Sequence, residues 1–148
     1  MSSPYPEGGP PSGAPGGKTS FMGLDSNVGA MLCYLANFLC CLGLVLAIIF
    51  LVTEKENRFV KFHAVQSLFL VALEIAAGII LEILNAILGL ALRMVDMSLF
   101  AGLLTWALGC LFLLIFMIFL VLGAIKAYGG QWYKLPIIGE LAWKTVNK

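Results

Sequence analysis

Two carboxylates lie inside a long apolar stretch of this 148-residue chain, at Glu74 and Glu82. At 100° per residue they share one helical face with His63, Ser67 and Asn85. An ionised carboxyl at membrane depth costs roughly 3 kcal/mol, so these side chains should face a bundle interior, a partner subunit or a water-filled cavity. The chemistry that such a face could support is a proton or cation relay.

A structural interpretation of the two carboxylates is also consistent with their positions. Glu74 could bond Asn37, Thr105 or backbone carbonyls and hold helices together. Glu82 could lie close enough to the outer surface to be hydrated or to meet Arg93. The residues alone leave packing and relay roles open.

A polar island over residues 53–67 separates two apolar runs and holds five of the seventeen formal charges. The C-terminal segment 126–148 places Trp and Tyr residues beside lysines, a mixture typical of the membrane interface. We expect the two segments to form one basic, aromatic docking surface, with two phenylalanines of the island as its anchors. The predicted surface comprises Lys55, Arg58, Phe59, Lys61, Phe62, Trp132 and Tyr133.

Recognisable catalytic and metal-binding patterns are absent from the sequence. His63 is the only histidine, and there is no HExxH, GxSxG, P-loop or CxxC pattern. No catalytic, cofactor or metal site is therefore predicted, and we expect a protein that is not an enzyme. His63 is expected to be a polar anchor at the interface, with pH sensing as the alternative. The net charge of +1 also argues against nucleic-acid binding.

The composition is that of a membrane protein, with 61% hydrophobic and 11% charged residues. Apolar runs cover about 28–52, 64–92 and 99–125, and each exceeds the ~20 residues that a helix needs to cross a bilayer. The pattern predicts an all-α integral membrane bundle of three transmembrane helices, with a short interfacial C-terminal helix. Four spans would leave almost no room for turns.

Residues 1–22 are rich in Pro and Gly and predict a disordered tail, so the membrane domain is expected to cover 23–148. Seven of the nine Lys and Arg residues fall on the side of the island and the C-terminal segment. The positive-inside rule then predicts a multi-pass protein of the inner or plasma membrane, with the N-terminus outside and the C-terminus cytoplasmic.

Small residues line one face of the first and third apolar runs, including Gly29 and Ala47 in the first and Gly102 and Gly109 in the third. Such faces allow close contact between helices. The contact could lie within one bundle or along a homodimer seam.

Three ordered motifs carry a family resemblance: Gly23–Val28, the island, and Lys126–Gly139. Over residues 23–143 the chain resembles a small prokaryotic multi-pass membrane family of unknown function. That family is distantly similar to the chloroplast inner-envelope protein-import (Tic) component and includes magnetosome membrane proteins. The matching residues are Glu54, Lys55, Glu56, Asn57, Phe59, Phe62, His63, Gln66, Lys126, Tyr133 and Pro136.

The resemblance implies an inner-membrane protein of bacteria or archaea, with relatives that control crystal growth in magnetosomes and no common activity. We expect a non-enzymatic membrane interaction, assembly or scaffold protein whose partners are the lipid bilayer, other membrane proteins or itself. The alternative is a small oligomeric channel or proton-coupled carrier that uses Glu74 and Glu82. A third hypothesis is a lipid-headgroup binder that uses Lys and Trp near the inner surface.

Overall fold

The computed structural model describes residues 17–39, 41–54 and 57–147, and their regular structure is helical. A single 3₁₀ turn, Ala36–Leu39, follows the first helix. The helices are α1 (Ser26–Leu35), α2 (Cys41–Thr53), α3 (Arg58–Met94), α4 (Ser98–Tyr128) and α5 (Ile138–Val146).

The first apolar run is not one continuous helix, so its prediction as a single membrane-spanning helix is not confirmed. The chain leaves the α1 helix at Leu35, passes through the 3₁₀ turn and starts again in α2. With 10 and 13 residues, α1 and α2 are each shorter than the ~20 residues that a crossing needs. Gly43 allows the close return, because a Cβ there would come within 2.5 Å of the Cα of Asn37.

The return brings the segment before α1 beside the end of α2. Phe21 stacks edge-on against Phe50 at 5.9 Å, and the Ser20 N–H donates to Glu54 at 2.8 Å. A straight helix over residues 28–52 would separate its two ends by about 37 Å. The N-terminal segment and the island therefore lie at the same end of the α1–α2 pair, and their predicted placement on opposite sides of the membrane is not confirmed.

Residues 17–22 are part of this packing, so the predicted disordered tail does not extend to residue 22. Thr19 is 3% exposed, and its N–H donates to the Leu24 carbonyl at 2.7 Å. The rest of the predicted tail, residues 1–16, lies outside the described residues.

Two helices among the described residues, α3 and α4, are long and apolar enough to cross a membrane. Their 37 and 31 residues correspond to about 56 and 46 Å, more than a hydrocarbon core of ~30 Å. They contain the second and third predicted runs. The predicted number of three spans is not confirmed.

The chain from α3 to α4 reverses in a tight turn. The Met97 N–H donates to the Leu92 carbonyl at 2.9 Å, and that of Asp96 donates to the Arg93 carbonyl at 3.2 Å. Asp96 has a φ of 58°, a left-handed conformation that Asp tolerates better than most residues. These bonds satisfy carbonyls that the end of a helix leaves free.

After α4 the chain turns at Gly130, which has a φ of 69°, and runs without regular structure to α5. The short C-terminal helix predicted from the sequence is present as α5, which begins two residues after Pro136. Gly139 allows its start to lie against the preceding segment, since a Cβ there would come within 2.5 Å of the Lys134 Cα.

The chain divides into two units. The network unit comprises the described residues up to Val71 together with those from Leu120 onward, and the hairpin unit comprises Ala72–Phe119. The network unit contains most of the buried side chains, both polar and apolar. In the hairpin unit most large apolar side chains are exposed, as expected for helices that contact lipid.

Candidate functional site

The first turns of α3 form the centre of the network unit. Phe59, Phe62, His63 and Gln66 recur at the i, i+3, i+4, i+7 spacing of one helical face, and all four are fully buried. The island therefore does not stay outside the fold as a loop. From Arg58 onward it forms the first turns of α3, and one face of these turns is buried.

A directed chain of hydrogen bonds runs through His63. Its Nε2 lies 3.1 Å from the Gln131 carbonyl, which can only accept, so Nε2 carries the proton and Nδ1 is an acceptor. The Tyr34 hydroxyl lies 3.0 Å from Nδ1 and donates to it. That hydroxyl in turn accepts from the Gln66 side-chain nitrogen at 2.8 Å. The arrangement holds His63 in the neutral form.

Gln66 ties the segment after α4 to α3. Besides its bond to Tyr34, its Nε2 donates to the Tyr133 carbonyl at 3.1 Å. Its Oε1 accepts from the Leu135 N–H at 3.2 Å. Two donors and one acceptor of the side chain are thus used, which makes the amide a structural link between three segments.

Ser67 extends the network to the end of α1. Its hydroxyl donates to the Cys33 carbonyl at 2.6 Å and accepts from Asn37 at 3.0 Å. Cys33 itself is fully buried.

Aromatic rings surround the imidazole. Phe59 and Phe62 lie edge-on to His63, with ring centroids 4.6 and 5.0 Å away. Trp132 contacts both phenylalanines, and Trp143 of α5 contacts Phe62 and Trp132 at 5.9 and 5.6 Å. These rings exclude water from the His63 hydrogen bonds and bury the segment that Gln66 holds.

A second polar cluster surrounds Glu54, which is 1% exposed. Its carboxylate accepts from the N–H and hydroxyl of Ser20 at 2.8 and 2.9 Å, and from the Asn57 N–H at 3.3 Å. Asn57 caps α3, because its Oδ1 accepts from the Val60 N–H at 3.3 Å. It also donates to Ser26 at the start of α1. The cluster joins the residues before α1 to those before α3.

Some residues of the predicted docking surface are buried and others are exposed. Phe59, Phe62 and Trp132 lie inside the unit, so the prediction that the two phenylalanines anchor a partner is wrong for this structure. Arg58 is exposed, while Lys61 and Tyr133 are half-buried. Lys55 lies outside the described residues.

The predicted polar face on α3 is divided as well. His63 and Ser67 belong to the network unit, whereas Glu74, Glu82 and Asn85 belong to the hairpin unit. Glu74 is half-buried, Glu82 is exposed and Asn85 is buried. The relay role of the two glutamates stays a prediction.

Residues central to the network were not selected as site residues from the sequence: Tyr34, Glu54, Asn57 and Gln66. A signal for Tyr34 was present, since a lone tyrosine in an apolar run needs a partner for its hydroxyl. A signal for Gln66 was its helical spacing from Phe59, Phe62 and His63.

The hydrogen bonds and aromatic contacts of these residues stabilise the fold of the network unit. His63 uses both ring nitrogens for hydrogen bonds within the unit, and its neighbours are aromatic rings, a phenol and an amide. Residues 17–39, 41–54 and 57–147 contain no group of three or more His, Cys, Asp or Glu side chains placed to hold a metal ion.

Comparison with known proteins places the chain among membrane proteins. Residues 25–142 match a family described as the magnetosome magnetite crystal formation protein family. A UPF0132 membrane protein of Methanocaldococcus jannaschii is 37% identical over 127 residues, which cover 85% of this chain and 92% of that protein. A UPF0132 membrane protein of Archaeoglobus fulgidus is 34% identical over 124 residues, with 84% and 98% covered.

No solved structure matches the chain. The distant similarity to the chloroplast import component stays a prediction.

Proposed function

The chain belongs to the magnetosome magnetite crystal formation protein family, and we propose that it is a non-enzymatic membrane protein that acts through contacts with other membrane proteins or with itself. The observation that carries this proposal is that the buried polar groups form hydrogen bonds within the folded unit. Tyr34, Glu54, His63, Gln66 and Ser67 bond to one another or to nearby backbone and capping groups. Their chemistry builds a folded unit and leaves the outside of that unit for recognition.

The outside that remains is basic. Arg58 and Lys61 are three residues apart and so project from neighbouring positions on α3. Phe62 packs on Trp143, which brings the chain neighbours Lys61 and Lys144 to one region of the network unit. These cations, in place of the buried phenylalanines, form the docking surface that we propose.

The distribution of cations also supports an orientation. Arg93 is the single Lys or Arg of the hairpin unit, whereas the described part of the network unit contains Lys18, Arg58, Lys61, Lys126, Lys134 and Lys144. Under the positive-inside rule we infer that the basic segments of the network unit face the cytoplasm of a cell whose inner or plasma membrane holds the protein.

Cross-linking at one chosen residue tests the docking proposal. A photoreactive residue at the exposed Arg58 should capture a defined membrane protein or a second copy of this chain in native membranes. The same reagent at Met94, which is 83% exposed in the hairpin unit, is the matched control. Capture of only monomer and random neighbours at Arg58, or the same products at both positions, would contradict the proposal.

A further inference from the structure

A cavity of ≈ 660 Å³ lies between α3 and α4 in the hairpin unit, close to the turn that joins them. Its volume falls in the range of roughly 300–1,000 Å³ that is usual for small-molecule sites. Half of its ten lining residues are small or apolar: Ala86, Gly89, Leu90, Ala101 and Gly102. The polar lining residues are Glu82, Asn85, Arg93, Ser98 and Thr105.

Asn85 supplies the observation that points to an occupant. Its side chain lines the cavity and is only 7% exposed, yet its Oδ1 has no hydrogen-bond partner among the described residues. An unpaired buried amide oxygen is costly, so the site calls for a donor. Glu82, three residues earlier on the same helical face, adds a carboxylate that also accepts. Together they favour a cation that carries N–H groups.

Arg93 gives the opposite end of the site an anion-binding group. It lines the same cavity from the last turn of α3, and helical side chains lean toward the N-terminus, in this case toward Asn85. Gly89, which lies between Asn85 and Arg93, has open space where a Cβ would stand. The guanidinium suits a phosphate, and the hydroxyls of Ser98 and Thr105, which line the same cavity, can donate or accept.

The surroundings of the cavity favour a lipid over a soluble ligand. Leu90, Leu99 and Leu103 are 65%, 82% and 63% exposed on the two helices that form it. In a membrane these side chains contact acyl chains, so the molecules at hand are lipids whose polar groups can enter the cavity.

We propose that this cavity binds the head group of a phospholipid that carries a primary ammonium beside its phosphate. The ammonium donates to Asn85 and Glu82, and the phosphate accepts from Arg93. A choline head group has the same charges but no N–H, so it leaves the Asn85 oxygen without a donor. The site should therefore distinguish two zwitterionic lipids of equal net charge.

Native mass spectrometry of the full chain in detergent tests this proposal. The protein is offered equal amounts of phosphatidylethanolamine and phosphatidylcholine with identical acyl chains. Since a hydrogen bond to a charged group is worth about one power of ten in affinity, retention should favour the ethanolamine lipid on the order of tenfold.

Variants connect the preference to the cavity. Asn85→Leu removes an acceptor that only an N–H group can use, and should bring the retention ratio close to one. Glu82→Gln replaces a charged acceptor with a weaker amide oxygen, and should lower the ratio without abolishing it. Asn85→Asp keeps an acceptor oxygen and should keep the preference. Glu74→Gln makes the same chemical change as Glu82→Gln on the same helix, away from the cavity lining, and should leave the ratio unchanged. Helix content from circular dichroism identifies any variant that fails to fold. If Asn85→Leu does not fold, the comparison of Glu82→Gln with Asn85→Asp tests the proposal in its place.

Three results would overturn the proposal. Equal retention of both lipids by the unmodified protein would remove the basis for ammonium recognition. A preference that survives both Glu82→Gln and Asn85→Leu would place recognition elsewhere. Displacement of the lipid by soluble phosphoethanolamine at comparable concentration would assign the cavity to a free zwitterion instead of a membrane lipid.

Discussion

The two units of the chain differ in the hydrogen bonding of their buried polar side chains and in the packing around their glycines. In the network unit, the buried Glu54, His63 and Gln66 each have several hydrogen-bond partners. In the hairpin unit, the one buried polar side chain in the described range 72–119 is Asn85, and its oxygen has no partner there. Three buried atoms of the network unit, Asn27 Oδ1, Asn37 Oδ1 and Trp132 Nε1, also have no partner among the described residues. The bonded polar residues therefore build the first unit, whereas the buried polar residue of the second lines a cavity.

Glycines show the same contrast along a single helix. A Cβ at Gly123 would come within 2.6 Å of the Tyr34 ring, whereas a Cβ at Gly109, also in α4, would meet nothing within 4 Å. Gly102 is likewise in open space, so the predicted close packing of this small-residue face is not formed within the described chain. Close packing belongs to the network unit.

The largest effect is expected from Glu54→Ala. It removes the acceptor for three donors and should lower the free energy of unfolding by about 3 kcal/mol. Glu82→Ala, at an exposed position of the hairpin unit, should change it by less than about 0.5 kcal/mol. Chemical unfolding in detergent measures both free energies of unfolding. Equal losses in the two variants would contradict the difference between the network unit and the hairpin unit.

The second effect is steric. Gly123→Ala forces a methyl group against the buried Tyr34 ring, which two hydrogen bonds hold in place, and should cost about 2 kcal/mol. Gly109→Ala should be neutral or stabilise the protein by up to about 1 kcal/mol, because Ala favours helix. Thermal unfolding of the two variants in one detergent checks the difference. A similar shift in both would show that the α1–α4 contact is absent.

The smallest effect is expected from Tyr34→Phe. It leaves the His63 Nδ1 without its donor and one Gln66 donor without its acceptor, at a cost of about 1–2 kcal/mol. Tyr128→Phe makes the same change at a side chain that is 59% exposed and should have no measurable effect. Stability of the pair in detergent measures the contribution of the hydroxyl, and a neutral Tyr34→Phe would argue that the network contributes little.

The two long helices could be predicted from the sequence because hydropathy adds over many residues. Residues 64–92 and 99–125 lie within α3 and α4. The break in the first run could not be found in the same way, since a window average does not register the polar Asn37 or the close approach at Gly43. That reversal depends on contacts with residues that are distant in the sequence.

The burial of the island was predictable in part. Phe59, Phe62, His63 and Gln66 have the spacing of a buried helical face, but the charges beside them favoured a surface loop. The backbone partners of His63 and Gln66, at Gln131, Tyr133 and Leu135, come from a segment 67–69 residues later in the chain, and no local pattern indicates them.

The most direct test of the central claim concerns the return of the first apolar run. In a background without the native cysteines, Ser20→Cys and Thr53→Cys place thiols at two exposed positions. Ser20→Cys removes the hydroxyl donor to Glu54 but keeps the backbone N–H bond to it. A short bifunctional reagent should join them in native membranes, and a reagent that cannot cross the bilayer should label both from the same side. Absence of the cross-link, with labelling of the two cysteines from opposite sides, would contradict the account and restore a single membrane-spanning helix.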